Sequence, residues 1–153
     1  MSLCLSCGLC CDGTLFNRVP LAEGDDPSLR AALGVGEGQA HGVQPCAALR
    51  GLTCQVYERR PLTCRRFRCL LLEAHEADEV SLAGARQVVD ETRALRASLA
   101  RALGTSDGGG VVDLARATEG ALPEEARAAL ERLEQALVFH FLGQRSRRRS
   151  AGR

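Results

Sequence analysis

The eight cysteines of this chain all lie within its first 69 residues. Four of them open the chain as Cys4-x-x-Cys7-x-x-Cys10-Cys11, and the others are Cys46, Cys54, Cys64 and Cys69. In an intracellular protein, cysteines separated by two residues are typical of metal or iron–sulfur ligands. The first half of the chain is therefore predicted to fold around bound metal.

The start of the chain bears on whether these thiols stay reduced. Met1-Ser2-Leu3-Cys4 offers neither the charged segment nor the apolar run of a secretory signal. No apolar run approaches the roughly 20 residues that cross a bilayer. We therefore expect a cytoplasmic protein with no membrane contact, whose thiols are reduced. An even number of cysteines would also suit a disulfide framework, but the adjacent Cys10-Cys11 pair and the missing signal favour metal binding.

Composition and charge limit the remaining function classes. The chain is 45% apolar but only 3% aromatic, so a small domain gains little core bulk, and a metal would compensate for this. The net charge of +1 is uneven, because residues 73–143 carry 13 acidic residues against seven Arg, whereas residues 144–153 carry five Arg and no acid. We do not expect nucleic-acid binding, because the basic excess is confined to this tail. The acidic helices are the candidate surface for a protein partner.

The residue pattern predicts an α+β fold in three parts. Residues 1–72 form an irregular, metal-stapled cysteine-cluster domain with strand candidates at 15–19, 46–49 and 52–57. Short helices follow Asp26-Pro27 and Pro61. Residues 73–143 form a helical extension, in which a 3.6-residue apolar period predicts helices at about 81–103 and 123–142. Residues 144–153 are predicted to be a disordered Arg-rich tail.

Thiolates are soft ligands that favour zinc and iron–sulfur clusters over magnesium or calcium. Eight of them would supply two four-coordinate sites. Adjacent side chains of an extended backbone point to opposite sides, so Cys10 and Cys11 are expected to serve different sites, or one of them to lie outside the ligand set. Four thiolates make a closed zinc site or hold a [4Fe–4S] cluster, whereas three leave one iron open for chemistry.

These motifs resemble a known family. The opening Cys4-x-x-Cys7-x-x-Cys10-Cys11, the Gln44-Pro45-Cys46 segment, and the run from Cys54 to Cys69 are similar to the YkgJ-type cysteine-cluster proteins, also called CxxCxxCC zinc- or iron-chelating domains. The resemblance covers roughly residues 4–72. It implies metal chelation, and it makes all eight cysteines metal ligands: Cys4, Cys7, Cys10, Cys11, Cys46, Cys54, Cys64 and Cys69.

Two basic side chains among the ligands, Arg60 and Arg65, are candidates to donate to the sulfurs or to offset their charge. We assign Arg65 as a cofactor-binding residue of this outer kind. His41 is the one further candidate ligand, because it lies five residues before Cys46. No catalytic residue is assigned.

Three functions remain open on the sequence. The leading one is a metal-binding protein that chelates zinc or an iron–sulfur cluster. The second is an iron–sulfur enzyme or redox protein with an open iron site. The third is a zinc-stabilised protein-interaction module. A related cysteine region occurs in flagellin lysine N-methylases, but this chain has no methyl-donor-binding glycine motif after a strand.

Overall fold

The computed structural model of this chain describes residues 3–108 and 110–143. Within them, the structure divides into two compact units: unit 1 holds residues 3–67, 108 and 110–114, and unit 2 holds residues 68–107 and 115–143. Helices and two small sheets occur in the same chain, which confirms the α+β class. The predicted tail, 144–153, lies outside the described residues.

Unit 1 is built from very short elements. In chain order they are α1 (Cys4–Cys7), β1 (Arg18–Pro20), α2 (Ser28–Ala32), β2 (His41–Val43), β3 (Leu49–Arg50), β4 (Thr53–Cys54), a 3-10 turn (Tyr57–Arg59) and α3 (Leu62–Arg66). Strands β1 and β2 pair antiparallel, with Val19 opposite Gly42, and β3 and β4 form a second antiparallel pair. Strands β1, β3 and β4 are shorter than the strand candidates that they overlap, and β2 was not predicted.

Unit 1 contains a small buried cluster of aliphatic side chains: Val19, Leu29, Leu33, Val35, Ala48 and Val56. Three cysteines, Cys46, Cys54 and Cys64, are partly buried and pack against this cluster. The apolar core of unit 1 thus continues directly into thiols.

Unit 2 is helical. Its helices are α4 (Leu70–Glu76), α5 (Leu82–Ala102) and α7 (Glu124–Leu137), and α6 (Val111–Ala117) precedes α7 in the chain. The Ser81 hydroxyl accepts a 3.0 Å hydrogen bond from the Gly84 N–H and so caps α5. Helix α7 continues as a π-helical turn, Val138–Leu142, that ends at Gly143. No helix of the described residues is long and apolar enough to cross a membrane.

Candidate metal centre

The opening cysteines lie on one turn of helix followed by a tight reversal. Cys4 is exposed and Cys7 is half-buried, and because they are three residues apart in α1 they share one face of the helix. Gly8 ends α1 with a φ of +70°, a left-handed conformation that suits glycine. Its carbonyl then accepts hydrogen bonds from the N–H groups of Cys11 (2.8 Å) and Asp12 (3.0 Å). The reversal leads the chain from α1 into the Cys10-Cys11 pair.

The loop that carries Cys10 and Cys11 is tied to the segment that carries Cys46. The Cys46 N–H donates to the Cys11 carbonyl at 2.7 Å, and the side-chain Nε2 of Gln44 donates to the Cys10 carbonyl at 3.2 Å. The Gln44 backbone N–H donates to the Asn17 carbonyl at 3.0 Å. Residues more than 30 positions apart in sequence are therefore held side by side.

Four cysteines of unit 1 lie close enough to influence one another electrostatically. They are Cys11, Cys46, Cys54 and Cys64, and we call them the four-thiol group. Burial first, and then the other three thiols, raise the pKa of Cys11 to about 12. Burial also raises the pKa of Cys64 to about 11, with contributions from Cys46 and Cys54. The pKa of Cys46 is raised by burial first, and Cys54 adds to the shift.

The raised pKa values of Cys11, Cys46 and Cys64 favour the neutral thiol over the thiolate when no metal is bound. Neutral thiols tolerate partial burial, but four thiolates would be desolvated and would repel one another. A cation among them reverses that balance, because each thiolate becomes a ligand, and metal binding then releases protons. The donor set therefore suits a divalent zinc ion or an iron–sulfur cluster.

The four sulfurs would have to move closer together to coordinate an ion. Among the described residues, no group of three or more His, Cys, Asp or Glu side chains is placed so that it could hold a metal as it stands. A tetrahedral zinc site needs each sulfur about 2.3 Å from the ion. The four-thiol group is thus a gathered donor set rather than a finished coordination sphere.

Asp25 anchors the helix that carries Cys64. Its Oδ1 accepts a 2.7 Å hydrogen bond from the N–H of Leu62, the first residue of α3, and its Oδ2 accepts one of 2.7 Å from the Ala22 N–H. One carboxylate thus satisfies an unpaired N–H at the start of α3 and closes its own loop. The sequence analysis did not identify this role, because the partner lies 37 residues away.

We expect Asp25→Ala to lose about 1.5–3 kcal/mol of unfolding free energy per charged hydrogen bond, measured by urea denaturation. Asp25→Asn should lose less, because its side-chain carbonyl can still accept one of the two bonds. The control is Asp26→Ala, which removes the neighbouring and exposed carboxylate, whose Oδ1 accepts a local 2.9 Å bond from the Ser28 N–H. Equal losses for the Asp25 and Asp26 variants would contradict the anchoring role.

The two arginines named from the sequence have different surroundings. Arg65 is exposed, and its Nε and Nη2 donate to the carbonyls of Arg60 (2.8 Å) and Glu58 (3.2 Å). Arg60 stacks over the Tyr57 ring at 4.0 Å, and its positive charge lowers the pKa of Cys64, partly opposing the effect of burial. Arg60 thus acts electrostatically on a member of the four-thiol group, and the outer role of Arg65 stays a prediction.

The other four predicted ligands are Cys4, Cys7, Cys10 and Cys69. None of the chain's eight thiols is joined in a disulfide. Cys69 belongs to unit 2, where it is buried, and its Sγ accepts a 3.4 Å hydrogen bond from the Leu72 N–H and caps α4. Whether these four bind metal stays a prediction, as does the extra ligand His41, which lies in strand β2 opposite Pro20.

Comparison with known proteins gives one match. A family model described as "CxxCxxCC: Putative zinc- or iron-chelating domain" matches residues 3–85, which is more than half of the chain. No curated protein and no solved structure matches the chain. The match includes the segments that bear all eight cysteines and extends into the first residues of α5.

Proposed function

The chain belongs to the CxxCxxCC family of zinc- or iron-chelating domains, and on that premise we propose that unit 1 binds zinc or an iron–sulfur cluster through the thiolates of its four-thiol group. The observation that carries the proposal is that Cys46, Cys54 and Cys64 pack against one apolar cluster, while the Cys46 N–H donates to the Cys11 carbonyl at 2.7 Å and so ties the segment of Cys11 to that of Cys46. Four soft donors brought together from four separate segments match the four-coordinate sites that these metals prefer.

Each cysteine of the four-thiol group lies on a different segment of unit 1. Cys11 follows the reversal at Gly8, Cys46 is tied to it by a backbone hydrogen bond, and Cys54 lies in β4. Cys64 is carried on α3, whose first N–H is held by Asp25. Metal binding would therefore hold these four short segments together and stabilise a unit that has little apolar core.

We further propose that the remaining cysteines of unit 1, Cys4, Cys7 and Cys10, serve a second metal or cluster. Cys4 and Cys7 share one face of α1, and the Thr53 hydroxyl contacts the Leu5 carbonyl at 3.4 Å, which brings α1 next to strand β4. Three cysteines spaced two apart are the local pattern of bacterial iron–sulfur ligands. The cytoplasmic location stays a prediction from the sequence.

The test is anaerobic purification of the full chain followed by a visible spectrum, elemental analysis and an assay for acid-labile sulfide. Iron with sulfide and absorbance near about 400 nm would identify an iron–sulfur centre, and would direct further work to redox or open-site chemistry. A colourless protein with stoichiometric zinc would identify a closed structural site, as the interaction-module alternative requires. A protein that retains neither metal and cannot be loaded with either refutes the proposal.

A further inference from the structure

Gln44 lies where two ligand-bearing segments of unit 1 meet. Its Nε2 donates to the Cys10 carbonyl at 3.2 Å, and two residues later the Cys46 N–H donates to the Cys11 carbonyl at 2.7 Å. The Gln44 side chain thus adds a second hydrogen bond between the two segments, beside the backbone hydrogen bond from Cys46 to Cys11. Because a carbonyl oxygen only accepts hydrogen bonds, the amide nitrogen of Gln44 has to be the group that faces Cys10.

The other half of the same amide is unusual. The Oε1 of Gln44 is buried and has no hydrogen-bond partner among the described residues. A buried acceptor without a donor carries a free-energy cost. A leucine of similar size would fill the same space without that cost, so packing alone does not account for a glutamine here. The amide donor is the part of the side chain with a visible role.

We propose that Gln44 is a positioning residue of the metal centre, which holds the Cys10 carbonyl so that the next residue, Cys11, stays beside Cys46. The inference rests on the proposed function, because it concerns the same thiols. If Cys11 is released, the four-thiol group loses the donor that comes from the opening loop. Groups that orient metal ligands in this way typically change metal affinity by about 10- to 100-fold when they are replaced.

Two substitutions separate the donor from the rest of the side chain. Gln44→Leu removes both the donor and the acceptor, whereas Gln44→Glu keeps the shape and an acceptor but loses the donor at neutral pH. The matched control is Gln55, which follows Cys54 directly and whose exposed Nε2 donates to the Thr53 carbonyl at 3.4 Å, within its own hairpin. Gln55→Leu and Gln55→Glu therefore repeat both changes beside another ligand.

Zinc affinity of the full chain is measured by competition with a coloured chelator, and the sulfur-to-cobalt charge-transfer band of the Co²⁺-loaded protein reports how many thiolates bind. We expect both Gln44 variants to bind zinc about 10- to 100-fold more weakly, with a weaker charge-transfer band. Both Gln55 variants should match the unsubstituted chain. Hydrogen exchange of the zinc-saturated proteins shows whether unit 1 of each variant folds.

Several results would overturn the inference. Wild-type affinity in Gln44→Glu would show that the donor is irrelevant, and an equal loss in the Gln55 variants would show that the effect is not specific to Gln44. Rapid exchange throughout unit 1 of the zinc-saturated Gln44 variants, including the Gln55 and Leu62 amides, would make Gln44 a purely structural residue. If the unsubstituted chain binds no metal, the proposed function fails; if it binds and the Gln44 variants bind equally well, only the positioning role fails.

Discussion

Replacing Cys11 or Cys64 by serine will remove one and the same bound metal or cluster, and the double variant will lose no more than either single variant. Both thiols belong to the four-thiol group, and a serine hydroxyl is a poor substitute for a soft thiolate. We expect affinity to fall by more than about 100-fold, beyond the range seen for groups that only orient ligands. Metal content per chain, measured by elemental analysis and native mass spectrometry, checks the prediction.

The non-additivity is the decisive feature of this experiment. Two residues that bind one ion act as a unit, so the second substitution finds nothing left to remove. Cys4→Ser is the control, because Cys4 is exposed and lies outside the four-thiol group. Its effect on metal content should be independent of the effect of Cys11→Ser. If Cys11→Ser and Cys64→Ser instead each remove a different equivalent of metal, the proposed grouping is wrong.

The sequence predicted the long helices well, because the apolar period and the residues typical of helix ends indicate the same segments. The apolar period of α5 coincides with a capping serine at its start and Gly104, at a φ of +65°, after its end. A buried arginine was missed. Arg96 lies on the same stripe as Val89 and Leu99 and is only 9% exposed, and its Nε donates to Asp107 Oδ1 at 2.7 Å. A prediction based only on apolar residues overlooks Arg96, because its charge is neutralised by Asp107 in the loop that follows the helix.

Short helices were harder to predict. Helix α4 was not identified, and its N-cap is the thiol of Cys69, a residue type outside the usual capping set. Helix α6 follows directly on three glycines at 108–110, a composition typical of a linker. Neither α4 nor α6 begins with a residue that strongly indicates a helix start. Because each helix has only seven residues, the sequence alone does not distinguish it from a loop.

The cysteine pattern names candidate metal donors, and it carries no information on how they group in space. Spacing shows that Cys10 and Cys11 should not share a small site, and the structure places Cys11 in the four-thiol group. Its partners come from three other segments, and the ties that hold it, from Cys46 and Gln44, span more than 30 residues. Local spacing carries no information about such pairings. The Gln44-Pro45-Cys46 segment was the one sequence feature that pointed to these long-range hydrogen bonds, because it forms part of the family resemblance.

Removal of the metal by a strong chelator will unfold unit 1 and leave the helices of unit 2 protected. The helices of unit 1 have four or five residues and its strands two or three, far below the length at which a helix is stable alone. Structural zinc contributes about 10–16 kcal/mol in zinc-finger peptides, as much as the whole stability of an ordinary domain. In unit 2, α5 and α7 have 21 and 14 residues and bury apolar side chains such as Leu99 and Leu133.

Hydrogen exchange followed by mass spectrometry distinguishes the two units in one sample. After chelation, the amides of Cys46, Gln55 and Leu62, which donate within unit 1 in the folded structure, should exchange rapidly. Amides in the middle of α5 and α7 should keep their protection. The Cys11→Ser variant is the matched control, because it should show the rapid exchange before any chelator is added and change little afterwards. Equal loss of protection in both units, or none in unit 1, would mean that the four-thiol group does not hold unit 1 together through metal.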